Sequence, residues 1–161
     1  MFGLVGDRLV ESGYRVVITG MEAERPIAEA VMAHMRKNAT DLVGRTDLGA
    51  LAALLSQSAL LIANDTGVSH MAAALHVPSV IVCIGSDPIR WSPHDRCLHR
   101  VLIGQSTTVN DVIAAVHALE PLLSRSRIER GAIPYYDDLV SDIFRPDRFT
   151  ESRPPGVVRS L

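Results

Sequence analysis

The run Asn64-Asp65-Thr66-Gly67-Val68-Ser69-His70 holds residue types that suit a polar, anionic ligand. It follows the apolar stretch 60–63 and opens a segment with helical character, so it occupies a strand-to-helix turn. In open α/β sheets ligands bind at the carboxyl ends of strands, and the backbone N–H groups at a helix start favour an anion. Gly67 lets a phosphate approach the backbone closely. The Thr66 hydroxyl can donate to a phosphate oxygen, and Asp65 can accept hydrogen bonds from sugar hydroxyls. His70 lies four residues after Thr66, on the same helix face. Simpler roles stay open: a cap for Asp65 or Thr66, a tight turn for Gly67, a structural histidine for His70.

Three further runs fall at expected strand ends. Gly85-Ser86-Asp87-Pro88-Ile89-Arg90-Trp91-Ser92-Pro93 follows the next strand and lies beside the first run. Asp87 and Arg90 can bind polar or phosphate groups, whereas Trp91 reads more readily as a packing residue in a Pro-rich loop. In Thr19-Gly20-Met21-Glu22-Ala23-Glu24, either Glu22 or Glu24 can accept from a ribose diol, or can supply the negative charge that a helix start favours. In Val43-Gly44-Arg45-Thr46-Asp47-Leu48 the backbone can line a nucleobase pocket, or simply lead into an N-cap. No spacing suggests a Ser/His/Asp or Cys/His pair, no carboxylate couple stands out, and the scattered His34, His76, His94, His99 and His117 give no metal signature. No catalytic residue is assigned.

The elements that must position these runs alternate. Helices are expected over 2–11, with Gly13 as its stop, 22–37, 48–57 behind an Asp47 N-cap, 66–75, and 109–123 behind Thr108. Strands are expected over 15–19, 41–43, 60–63, 79–84 and 101–103. Such alternation implies βαβ units: an α/β fold with a Rossmann-like parallel sheet covered by helices on both faces. The first element is a helix, and neither G-x-G-x-x-G nor G-x-x-x-x-G-K-[ST] occurs, which argues against a nicotinamide-dependent Rossmann domain. After residue 123 the chain turns rich in Arg, Asp, Ser and Pro; 133–144 has aromatic and apolar residues suited to docking on a partner, and 150–161 is expected to be disordered.

With 161 residues, a hydrophobic share of 47% and a charged share of 21%, the chain suits one soluble globular domain. A net charge of −2 points away from nucleic acid. Cys83 in its apolar run is expected to be a buried thiol, and two cysteines without C-x-x-C spacing fit a reducing, cytoplasmic setting. Peripheral association with the inner membrane stays compatible with the sequence. Residues 1–10 lack a long apolar run, so no signal peptide is expected, and the most apolar stretch, 48–63, is too short and too interrupted to be expected to span a membrane.

Taken together, the four runs resemble the C-terminal, donor-binding domain of the heptosyltransferase family, glycosyltransferase family 9. The family pattern is, approximately, a strand and T-G-G, then A-G-[KR]-T-x-L-x-E-L-A-A-L, then N-D-T-G-P-x-H-L-A-A-A-L-G-x-P, then F-G-P-T-D-P-x-R-W-x-P. This chain has Val43-Gly44-Arg45-Thr46-Asp47-Leu48 leading into Leu51-Ala52-Ala53-Leu54. It then has Asn64 through His70, followed by Met71-Ala72-Ala73-Ala74-Leu75-His76-Val77-Pro78, and finally Asp87-Pro88-Ile89-Arg90-Trp91-Ser92-Pro93. The resemblance covers about residues 2–123.

The resemblance implies one half of a GT-B fold and a nucleotide-sugar donor, ADP-heptose being an example, with transfer to a lipopolysaccharide-type or other glycan or lipid-linked acceptor. Thr66 and Gly67 would hold the diphosphate and Asp65 the sugar. His70 would support that loop or touch the donor, Glu22 or Glu24 would meet the ribose, and Arg45 and Thr46 would lie near the base. The implied chemistry is inverting displacement without metal or cofactor. The family's acceptor domain, which supplies the base, and the first strand of the donor domain have no counterpart here. Residues 1–123 are thus expected to be a donor domain lacking its first strand, working with a separate N-terminal acceptor domain, and 124–161 an extension. The alternative is a non-catalytic nucleotide-sugar-binding or interaction module. Gly85-Ser86 stands for G-P-T and Val68 for the usual proline.

Overall fold

The computed structural model describes residues 1–85 and 87–129, with side chains through residue 123. In chain order the elements are α1 (Phe2–Glu11), β1 (Val17–Ile18), a 3-10 turn (Glu22–Glu24) leading into α2 (Arg25–Ala33), β2 (Thr40–Asp41), α3 (Leu48–Gln57) and β3 (Leu61–Asn64). They continue with α4 (Gly67–Ala74), β4 (Ser79–Cys83), α5 (Pro88–Trp91), β5 (His99–Ile103) and α6 (Val109–Glu129). The α/β alternation expected from the sequence is present, and every strand pairing is parallel. The strands form two hydrogen-bonded groups, β1-β2 and β3-β4-β5.

All five residues of β4 are buried, Cys83 among them, which is why this strand reads as an unbroken apolar run. Val80 and Val82 pack with Val5 of α1 and Val112, Val116 and Leu119 of α6. Leu55 of α3, Ala72 of α4 and Val77 form a second cluster with Leu61 of β3 against it. Leu60, just before β3, and Ile62 within it join the first cluster, so alternate side chains along this stretch serve different cores. Helices thus cover both faces.

Two departures from the expected bounds trace to an aspartate that accepts from backbone N–H groups. α2 stops at Ala33 rather than running to residue 37. The buried Asp7 carboxylate accepts the N–H groups of Arg36 (2.9 and 3.0 Å) and Lys37 (2.9 Å), drawing the chain out of helical geometry. A short helix, α5, forms where only a loop was expected, because Asp87 accepts from Ile89 N at 2.9 Å and Pro88 suits a first turn. α3 starts as expected, with Asp47 accepting from Ala50 N at 2.8 Å. At α6, Asp111 takes the Thr108 N–H at 2.8 Å and its hydroxyl at 2.7 Å, a reciprocal cap. α6 continues past 123 to Glu129, with Pro121 inside it. The expectations for 133–144 and 150–161 lie outside the described residues.

α4 ends in a tight turn, with Val77 N–H donating to Ala72 O at 2.8 Å. The residue after its cap, His76, has φ +53°, and it is the one non-glycine with positive φ among the described residues. That conformation favours glycine and costs another L-residue about 1 kcal/mol. No helix among the described residues is long and apolar enough to cross a membrane.

Candidate functional site

The first chemical run forms the turn between β3 and α4. Thr66 sits at the helix N-cap with extended backbone, yet no side chain caps the helix. Its hydroxyl lies 3.5 Å from Asn64 O, at the edge of hydrogen bonding, and the residue is exposed. The simpler capping role is therefore not the one Thr66 performs. A Cβ built on Gly67 would meet nothing within 4 Å, so its glycine is not demanded by packing and the space over the first turn is open. The Asp65 side chain is largely covered; its Oδ1 lies 3.5 Å from Ser69 Oγ and 3.9 Å from His70 Nε2. Ser69, buried, donates to Thr66 O at 2.7 Å and so ties the turn to the helix. The result is an exposed, uncapped helix start with a carboxylate beside it, a shape that can take a diphosphate on the N–H groups and sugar hydroxyls on Asp65.

The second run comes next to it. His70 meets the Trp91 ring edge-on, with centroids 6.2 Å apart, and the Arg90 guanidinium lies 5.0 Å from the centre of the same ring. Trp91 is 47% exposed, so it is less a packing residue than the sequence suggested. Asp87 spends an oxygen capping α5, which leaves Arg90 as the group of that run best placed for an anion. A groove of about 460 Å³ lies between α4 and the β4–β5 connection; His70 and Arg90 border it, whereas Asp65, Thr66 and Gly67 do not.

The third and fourth runs meet each other at the carboxyl ends of β1 and β2. Gly44 N–H donates to Gly20 O at 2.8 Å. Gly44 has φ +68°, and a Cβ there would run into the Glu22 carboxylate, so a larger residue would strain the turn and move Glu22. Arg25, not singled out in the sequence, organises this corner. It binds Glu22 at 2.9 and 3.2 Å and Asp41 at 3.0 Å, and donates to Val43 O. The Val43 N–H and Arg25 hold the Asp41 carboxyl below its ordinary range. Glu24 instead accepts from Met21 N at 2.7 Å, the helix-start role. Arg45 is exposed and Thr46 half-buried beside them. The described residues contain no cluster of three or more His, Cys, Asp and Glu able to hold a metal.

Against known proteins, the profile of glycosyltransferase family 9 (heptosyltransferase) matches residues 1–112. The chain belongs to glycosyltransferase family 9. Among its family relatives, lipooligosaccharide heptosyltransferase 2 of Haemophilus ducreyi is 28% identical over 87 residues, covering 52% of this chain and 25% of that protein. Lipopolysaccharide heptosyltransferase 3 of Escherichia coli is 32% identical over 95 residues, covering 57% and 28%. Among solved structures, the family 9 glycosyl transferase of Veillonella parvula superposes with a TM-score of 0.64 at 25% identity, over 77% of this chain and 40% of that one. The ADP-heptose lps heptosyltransferase II of E. coli gives a TM-score of 0.68 at 24% identity, over 78% and 41%. The fold is that of one half of a GT-B glycosyltransferase. This family 9 chain spans about a quarter of the curated relatives' length and about two fifths of the solved structures.

Proposed function

We propose that this chain is the donor-binding part of a family 9 glycosyltransferase, holding a nucleotide-sugar for transfer to a lipopolysaccharide-type or other glycan or lipid-linked acceptor. ADP-heptose is the first donor to try, since one solved structure of the same fold is named for it. The observation that carries the reading is the open, uncapped α4 start, with Asp65, Thr66 and Gly67 at the carboxyl end of β3. In this reading Thr66 and the N–H groups from Gly67 onward bind the diphosphate and stabilise it as the leaving group. Asp65 orients the sugar, and His70 and Arg90 flank it. Glu22, held by Arg25, meets the ribose, and Arg45 and Thr46 border the base.

We assign the chain no general base, so transfer requires one from an acceptor domain. The break between β1-β2 and β3-β4-β5 supports reading 1–123 as a donor domain without its first strand. In the doubly wound order 3-2-1-4-5-6 the first strand is central, and the two groups here correspond to its flanks.

Titration calorimetry of the chain with ADP- and UDP-sugars tests the donor site. One class should bind, and Asp65→Ala or Gly67→Val should weaken it at least tenfold, since valine puts methyl groups over the first turn. If neither class binds, or both variants bind as the parent does, the donor-site reading is wrong. Adding an acceptor domain separates an enzyme part, which gains transfer, from a purely binding module, which does not.

A further inference from the structure

The groove between α4 and the β4–β5 connection shares His70 and Arg90 with the donor site and adds groups that the donor site does not use, His76, His94 and His99. Four imidazoles border it, from His70 and His76 on the α4 side and from His94 and His99 on the other, along with the Arg90 guanidinium. Asp95 is the one acid of the lining, and its Oδ1 is occupied by the N–H groups of Cys97 (2.9 Å) and Leu98 (3.0 Å). His99 is fixed as a wall by its 2.8 Å hydrogen bond to the buried Ser79. The exposed Trp91 ring, Ala73 and Pro93 add an apolar wall. The volume, about 460 Å³, lies in the range of small-molecule sites.

His76 makes this groove more than a chance gathering. It holds φ +53°, where the family pattern Leu-Gly-x-Pro has glycine and this chain has Leu75-His76-Val77-Pro78. Histidine tolerates this conformation better than most residues do, and at this position it brings a side chain that glycine lacks. That side chain is one more donor facing the same space. Imidazole and guanidinium N–H groups suit the acceptor-only oxygens of a phosphate, and an aromatic face suits the C–H face of a sugar ring.

We propose that this groove binds a phosphate monoester carried on a sugar, beside the donor diphosphate and apart from Asp65, Thr66 and Gly67, which do not line it. His76 and His94 bind the phosphoryl oxygens from opposite walls, with Arg90 assisting, and the ring packs on Trp91.

Calorimetry with mannose 6-phosphate, mannose and inorganic phosphate tests this on the intact chain. The sugar phosphate should bind at least tenfold more tightly than either of the others. His76→Gly should weaken it at least tenfold while melting at the same or a higher temperature, because glycine relieves the strained backbone; His94→Ala should weaken it without unfolding. Binding of ADP-sugars should be unchanged in both variants, so failure here and failure of the donor site are separately visible. Equal affinity for inorganic phosphate and sugar phosphate overturns the assignment to a sugar. No binding of either phosphate, or variants that bind as the parent does, overturns the site.

Discussion

At His99 a ring nitrogen and the Ser79 hydroxyl share a buried hydrogen bond, and burial lowers the ring's pKa below its ordinary 6.5, with Asp95 opposing in part. The unfolded imidazole then takes up its proton near 6.5 and the folded one only at lower pH. Between those values the unfolded state binds more protons, so this stability is complete above about pH 6.5 and is lost as pH falls. Urea midpoints at pH 7.5 and 5.5 should differ in that sense, and His99→Gln should reduce the difference. Asp7 is another buried polar group with a structural duty: Asp7→Ala leaves the Arg36 and Lys37 N–H groups without their acceptor. It should cost about 2–3 kcal/mol in denaturant unfolding.

Among the elements, two close approaches depend on glycine. A Cβ on Gly3 of α1 would lie 2.6 Å from Val31 O of α2, a backbone atom that cannot turn aside. Gly3→Ala should destabilise by about 1–3 kcal/mol, by the logic of overpacking, and thermal melting would register it. Gly44→Ala displaces Glu22 and strains the turn after β2. If Glu22 meets a ribose, this variant should weaken nucleotide binding more than Asp47→Ala, which removes only the α3 cap and about 1 kcal/mol of stability. Comparing the two variants at matched stability isolates the corner built by Arg25.

For the molecule as a whole, the two strand groups differ in depth. β4 is wholly buried and paired on both sides, whereas β1 and β2 are two residues each and pair only with one another. Native-state hydrogen exchange should find β4 amides protected up to the global unfolding free energy, and β1 and β2 amides exchanging well below it. Equal protection in both groups would show that they form one cooperative sheet.

Periodicity and caps were legible in the chain itself. The α1 and α3 bounds, the Asp47 and Thr108 caps and the buried β4 run follow from local apolar spacing and from side chains that reach backbone three residues away. The order of the runs around residues 43–48, 64–70 and 87–93 likewise carried the family. What tertiary structure alone decided is which groups meet across distance. Asp7 ends α2 from 29 residues away, and Arg25 joins Glu22 to Asp41. Asp87 turned inward to a helix while Trp91 stayed open. His76, read in sequence as one of several scattered histidines, came to face His94 and His99 across one groove. Local rules act over one turn of helix, whereas the partner of a buried carboxylate or a lining imidazole is chosen by how the sheet and its crossovers pack.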